Sequence, residues 1–290
     1  MNSLGFDKSE KDTKVVVAMS GGVDSSVAAV MLKKQGYDVT GITLKLYNNS
    51  NISRSKSCCA GIDIEDAKNV ALNNDFKHIV LDYQDKFFNG VISNFVDSYA
   101  NGETPLPCVK CNETVKFSDL LNEAKKIGAD ALATGHYAIR KGSLNNASLH
   151  KAKDFSKDQS FFLFSTLQEQ LNYVRFPLGD YKKSEIRELA KEYNLSVSDK
   201  PDSQDICFVT SDSYRDLVKN LNPSVNKKGI IYDTDKNILG THEGISNYTI
   251  GQRKGIGISG SKEALYVIDI NREQNSITLG SKEKLKKSVI

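Results

Sequence analysis

From residue 14 to about residue 200, short continuous apolar runs alternate with segments whose apolar positions recur at helical spacing. The run KVVVAMS (14–20) has the length of a buried strand, and SSVAAVMLKKQGY follows with Val27, Val30 and Met31 on one helical face and Gly36 placed to end the helix. DVTGITLKL (38–46) predicts the next strand, 62–75 a helix, HIVLD (78–82) a strand and 85–100 a helix. A helix over 112–128 then feeds the strand ADALATG (129–135). This alternation predicts an α/β fold, a doubly wound parallel sheet spanning 14–207, whose ligand belongs beyond the carboxyl ends of the strands.

After residue 207 the pattern changes. GIIYD, ALYVIDI and SITLG are short β-type runs separated by Gly- and Asn-rich turn signals, which predict a small β-rich domain over 208–282. Residues 1–13 read as a flexible polar tail, 46–60 and 141–156 as polar loops, and 283–290 as the start of a further region.

Composition narrows the setting. With 290 residues, 39% hydrophobic and 26% charged, the chain has enough apolar side chains for a full core. No run approaches the ~18 apolar residues that cross a bilayer, and the polar start lacks a signal-peptide core, so the expectation is a cytoplasmic protein with no membrane partner. Five cysteines (58, 59, 108, 111 and 207) form an odd set too sparse for a disulfide scaffold, which points to chemistry or metal binding. A net charge of +3 permits an RNA partner without requiring one.

The most informative chemistry is SGGVDSS (20–26), at a strand end and a helix start. Adjacent glycines allow a tight turn in which backbone N–H groups and a helix N-terminus converge on an anion, and Ser20, Ser25 and Ser26 add hydroxyl donors. The loop lacks the spacing and the lysine of a Walker A motif. Asp24 beside such a nest would repel phosphate unless a cation intervenes, which suggests Mg²⁺. The second candidate is TPLPCVKCNETVKF (104–117), where Cys108 and Cys111 stand in a Cys-x-x-Cys spacing that also suits a metal clip or a redox pair.

SGGVDSS resembles the pyrophosphate loop (PP-loop) of the ATP pyrophosphatases, whose fold is adenine nucleotide alpha hydrolase-like. TPLPCVKCNETVKF, ATGHYA (133–138), KDQSFFLF (157–164), FPLGDYKKSEIRELA (176–190), KPDSQDICFV (200–209) and YTIGQRKGIGI (248–258) narrow the resemblance to the bacterial tRNA-specific 2-thiouridylases. The resemblance implies a tRNA-uridine 2-sulfurtransferase. ATP adenylates the C2 oxygen of the wobble uridine in tRNAs for Lys, Glu and Gln, and a persulfide sulfur replaces that oxygen, giving 2-thiouridine, AMP and pyrophosphate. It further implies the tRNA anticodon arm as partner and a sulfur-relay protein or cysteine desulfurase as the persulfide source. Members of the family usually continue into a C-terminal β-barrel that is expected to be absent here.

The resemblance also implies roles. Cys111 is the nucleophile and Cys207 the persulfide carrier, joined by a transient Cys111–Cys207 disulfide after sulfur delivery; Asp199, Asp202 or Asp205 is a candidate acid or base beside Cys207. Ala18, Met19, Ser20, Gly21, Gly22, Val23, Asp24 and Ser25, with Leu44 and Gly135, bind ATP. Leu106, Pro107 and Cys108 face the target base, and His136, Lys157, Asp158 and Gln159 contact tRNA. Cys58 and Cys59 could join Cys108 or Cys111 at a metal or iron–sulfur site, although the four-thiolate spacing is incomplete. Two other readings remain at this point: a different PP-loop ATP pyrophosphatase, which would not need Cys111 and Cys207, and a truncated, non-catalytic tRNA-binding remnant.

Overall fold

The structure, a computed structural model, describes residues 1–47, 61–202, 205–209, 213–258 and 263–286. In chain order the elements are β1 (Lys14–Ala18), α1 (Val23–Lys34), β2 (Asp38–Lys45), α2 (Gly61–Asn73), β3 (Lys77–Asp82) and α3 (Gln84–Phe87). A π-helical turn (Phe88–Ile92), α4 (Ser93–Ala100), α5 (Pro107–Cys111), a π-helical stretch (Asn112–Leu120) and α6 (Leu121–Lys126) follow. Then come β4 (Ala131–Thr134), the hairpin β5 (Ile139–Gly142) and β6 (Ala147–His150), α7 (Gln168–Tyr173), β7 (Val174–Arg175) and α8 (Lys183–Glu192). The last described elements are α9 (Tyr214–Leu221), β8 (Gly229–Tyr232), β9 (Ile238–His242), β10 (Tyr266–Asn271) and β11 (Ser276–Gly280).

The chain divides into two compact units, Met1–Val91 with Cys108–Thr210, and Ile92–Pro107 with Ser211–Ile290. In the first, five strands pair in the order β3-β2-β1-β4-β7, every pairing parallel. Val15, Val16 and Val17 are all buried, because a central parallel strand is covered on both faces, and that explains an apolar run without alternation. Val27 and Val30 of α1 pack into the same core as Ile186 and Ala190 of α8. α1 stops where the sequence says it should. Gly36 takes φ +96°, Tyr37 N–H bonds Leu32 O and Gly36 N–H bonds Lys33 O, a Schellman closure that a glycine permits without strain.

In the second unit the four-stranded sheet runs β10-β11-β8-β9, with β8 parallel to β11 and the other pairings antiparallel. Its core is Ile231, Val267, Ile277 and Leu279 with Ile245, Tyr248 and Ile256. Tyr99 of α4 stacks on Tyr214 of α9 at 4.3 Å between ring centroids, so the segment Ile92–Pro107 packs in this unit and not with the residues that flank it in sequence.

Two expectations are corrected. Residues 1–13 are no flexible tail. Asn2 Oδ1 accepts from the N–H groups of Leu4 and Phe6, Leu4 is buried in the first unit's core, and the guanidinium of Arg175 donates to Leu4 O at 2.8 Å while lying over the Phe6 ring. Two apolar residues and one asparagine suffice to strap the segment down, too few to register as a periodic pattern. The helix expected from residue 112 begins at Pro107, where a proline costs no helical hydrogen bond. Cys108 and Cys111 therefore lie inside a helix one turn apart, the first exposed and the second buried.

Candidate nucleotide loop and cysteine site

The strand order reverses beside β1, since the chain builds β2 and β3 on one side of it and β4 and β7 on the other. In an open parallel sheet the crevice at such a switch point takes the ligand. Met19–Gly22 lies there, between β1 and α1. Gly21 has φ +75°, and a Cβ on it would stand 2.1 Å from the Asp63 carbonyl oxygen. A Cβ on Gly135, just past β4, would stand 2.7 Å from Ser25 N and 2.9 Å from the Asp24 carbonyl carbon. Both glycines are required because backbone presses on backbone. Gly22 caps α1 with no side-chain bond, which leaves the first-turn N–H groups of a 12-residue helix without a side-chain cap. Ser20 N–H donates to Ser25 Oγ at 3.1 Å, and Ser26 Oγ donates to Gly22 O at 2.8 Å, so the serines brace the loop.

A collar of charge surrounds this loop. Lys183, at the start of α8, puts its ammonium 2.7 Å from both carboxylate oxygens of Asp24 and 2.9 Å from Asp202 Oδ1. Tyr137 hydroxyl donates to Asp24 Oδ1 at 2.8 Å; burial, then the Asp24 charge, pushes its pKa far above the ordinary value. Asp202 also accepts from Lys157 at 2.8 Å and Arg187 at 2.7 Å. Burial works against its carboxylate, but hydrogen bonds from Lys157 and Lys183 outweigh it and hold the pKa well below the usual carboxylate range. Asp202 is thus a fixed anion, unsuited to the acid–base role beside Cys207 for which it was one candidate. Lys200 bonds Gly21 O at 3.0 Å, Asp63 at 2.5 Å and Asp66 at 2.6 Å; partial burial opposes its charge, yet the two carboxylates raise its pKa. The cation that answers Asp24 in this structure is an ammonium.

Cys111 is a buried thiol with no disulfide. Burial pushes its pKa up, and the Lys116 charge only partly counters that. The neighbouring Asn112 donates from Nδ2 to Phe162 O at 3.0 Å and so ties this helix to the turn Ser160–Leu163. Cys207 is half-buried in a turn closed by Val209 N–H on Ile206 O at 3.0 Å. Leu44 is buried in β2.

The residues expected to meet tRNA are engaged within the first unit. Lys157 pairs with Asp202, Asp158 accepts from Ala152 N–H and Ser160 Oγ, and Gln159 Oε1 accepts from Tyr137 N–H. His136 bonds Thr134 Oγ1 at 2.8 Å and packs edge-on to Phe117 and Phe176; burial, then Lys116, keeps its pKa well below the ordinary value, so it is neutral at pH 7. Leu106 is exposed and Pro107 buried, both in the second unit, whereas Cys108 is exposed in the first.

Among the described residues no three His, Cys, Asp or Glu side chains are grouped to hold a metal ion. Cys58 and Cys59 lie outside the described residues. Among the described residues no helix is long and apolar enough to cross a membrane.

Sequence reasoning missed Lys183, Arg187, Lys200 and Tyr137. A signal existed: a phosphate loop without its own lysine needs a cation from elsewhere, and 176–190 and 200–209 carry lysines at recognisable motif positions.

A parallel sheet with a glycine loop at its switch point, leading into an uncapped helix, defines the α/β nucleotide-binding class. Residues 13–211 match the family described as tRNA methyl transferase HUP domain, and 216–281 the one described as tRNA methyl transferase PRC-barrel domain. A tRNA-specific 2-thiouridylase MnmA from Ruegeria pomeroyi is 52% identical over 98% of this chain and 76% of its own length. One of the same name from Ehrlichia canis is 54% identical over 98% of this chain and 77% of its own. Among solved structures, a 4-thiouridine synthetase–RNA complex with bound ATP matches 74% of this chain and 50% of its own at 20% identity and a TM-score of 0.47, a likeness too loose to add weight. The chain belongs to the tRNA-specific 2-thiouridylase family, and so to the tRNA-modifying sulfurtransferases.

Proposed function

We propose that this chain 2-thiolates the wobble uridine of tRNA at the expense of ATP, with the SGGVDSS loop as nucleotide site and Cys111 and Cys207 as sulfur chemists. The observation that carries the reading is an anion cradle built in the same compact unit as both cysteines, in a chain that matches 2-thiouridylases over nearly its whole length. The loop amides and the α1 N-terminus take the phosphates, Leu44 and Gly135 approach the adenosine, and Mg²⁺ enters with the nucleotide, with Asp24 the loop's own carboxylate.

The uridine C2 oxygen attacks the α-phosphorus and pyrophosphate departs. The urea-like oxygen, a poor leaving group, thereby becomes AMP, a good one. The outer sulfur of the Cys207 persulfide then attacks C2 and AMP leaves. Cys111, as thiolate, attacks the inner sulfur of Cys207; the S–S bond breaks, its electron pair stays with the sulfur on C2, and a Cys111–Cys207 disulfide remains for a dithiol reductant to reopen. Leu106, Pro107 and Cys108 are proposed to face the base, with His136, Lys157, Asp158 and Gln159 at the anticodon arm. Lys157 must exchange Asp202 for a tRNA phosphate, and neutral His136 would serve as a hydrogen-bond partner and not as a cation. A sulfur-relay protein or cysteine desulfurase in the cytoplasm supplies the persulfide.

The matching family models are described in terms of methyl transfer, which favours weighing that activity. A methyl transferase has no use for a phosphate cradle or two thiols, and the curated relatives are 2-thiouridylases. Incubation with ATP, Mg²⁺, a persulfide donor and unmodified tRNA, followed by nucleoside mass analysis, separates the two. 2-Thiouridine from wild type and none from Cys111→Ala or Cys207→Ala is the expected result. A methylated nucleoside, or thiolation indifferent to both cysteines, would refute the reading.

A further inference from the structure

The turn that carries Cys207 is held at both of its central residues by side chains distant in sequence, Tyr47 just past β2 and Phe87 of α3. Phe208 is buried, with its ring edge-on to Phe87 at 5.7 Å between centroids, and Phe87 lies 6.2 Å from the Tyr47 ring. Tyr47, two residues past the end of β2, donates its hydroxyl to the Cys207 carbonyl oxygen at 3.1 Å. Tyr47 is itself buried, so its ring has little room to swing. Its backbone continues β2, the strand that carries Leu44. One rigid element thus ends at the proposed adenosine pocket and, three residues on, grips the main chain of the proposed sulfur donor.

We propose that Tyr47 is a positioning residue for sulfur transfer: its hydroxyl fixes the Cys207 main chain, so that the persulfide sulfur stands where the adenylated base is presented. This rests on the assignment of Cys207 as donor. A donor whose backbone drifts leaves the adenylate waiting, and a waiting adenylate is lost to water. The signature is therefore a changed ratio of products and not merely a slower enzyme. Adenylation uses the loop and its collar, whereas the Tyr47 hydroxyl bonds the Cys207 carbonyl oxygen.

The test is Tyr47→Phe, which keeps the ring and removes only the hydroxyl. Enzyme preloaded with persulfide is mixed with ATP, Mg²⁺ and unmodified tRNA, and AMP and 2-thiouridine are measured in the same sample. AMP formation is expected to stay near wild type while 2-thiouridine per AMP falls about fivefold, the size of one neutral hydrogen bond. Tyr47→Leu, which also removes the ring, is expected to lower the ratio further. An unchanged ratio in Tyr47→Phe, or AMP and 2-thiouridine falling together, would overturn the inference. Cys207→Ala separates the two levels. If it still made 2-thiouridine, the donor assignment and this inference would fall together; if it is inactive while Tyr47→Phe keeps the wild-type ratio, Tyr47 alone is wrong.

Discussion

Lys183 and Asp24, 159 positions apart, meet with the ammonium 2.7 Å from each carboxylate oxygen. The relationship supplies from α8 the lysine that the phosphate loop lacks. A lysine in the first turn of a helix opposes the helix dipole, so its placement makes sense only through what it faces, Asp24 and Asp202. Lys183→Met is expected to lower AMP formation roughly 100-fold, the scale of losing one preorganised charge at a reacting phosphate. The rise in ATP KM, read in the same assay, checks that the defect lies at the nucleotide.

Gly135 tests the loop from the opposite side. A Cβ there meets Ser25 N at 2.7 Å and the Asp24 backbone at 2.9 Å, and main chain yields less readily than a side-chain tip. Gly135→Ala is expected to cost about 1–3 kcal/mol as an overpacking strain. It should also shift the loop enough to weaken ATP binding at least roughly tenfold, each 1.4 kcal/mol of lost binding being a factor of ten. Denaturant unfolding and ATP titration measure the two effects separately.

The pH dependence of sulfur transfer follows from Cys111. In the proposed mechanism Cys111 attacks as the thiolate, and burial keeps this thiol protonated above its ordinary range. The disulfide-forming step should therefore accelerate with rising pH and keep climbing beyond the ~8.5 of an ordinary cysteine. Lys116 favours the thiolate, so Lys116→Gln is expected to move the profile to still higher pH. Single-turnover formation of the Cys111–Cys207 disulfide across pH gives the profile directly.

The N-terminal strap carries stability. Leu4 is buried in the main core and its carbonyl accepts from buried Arg175. Leu4→Ala is expected to cost about 2 kcal/mol, at the low end for a buried leucine because a chain end relaxes easily. A fall in Tm of ~5 °C follows for a unit of this size, measurable by calorimetry.

How much of this was legible depends on the range of the interactions. β1 and α1 could be read because Val15–Val17 and the helical spacing of Val27, Val30 and Met31 are local patterns that burial enforces. Gly36 was legible for the same reason, since a positive φ at a helix end has one favoured residue. The loop was legible by its glycines and serines. Its collar was not, because Lys183 and Lys200 look like any other surface lysine until the fold brings them to Asp24 and Gly21. The strap at Asn2 and Leu4 escaped because it rests on single side-chain bonds and not on periodicity. The helix was expected from residue 112, which left Cys108 and Cys111 ahead of it, whereas Pro107 is the helix's first residue.

The order in which the cradle is assembled has a consequence for the nascent chain. The glycine loop is complete by residue 26, its β4 wall arrives at Gly135, and the cations that neutralise it come only with Lys183 and Lys200. On the ribosome, at roughly 5–20 residues per second, the loop spends many seconds outside the exit tunnel before its charge is balanced. Nucleotide affinity is therefore expected to appear late and abruptly, once Lys200 has emerged, and ribosome-bound chains of increasing length would show the step.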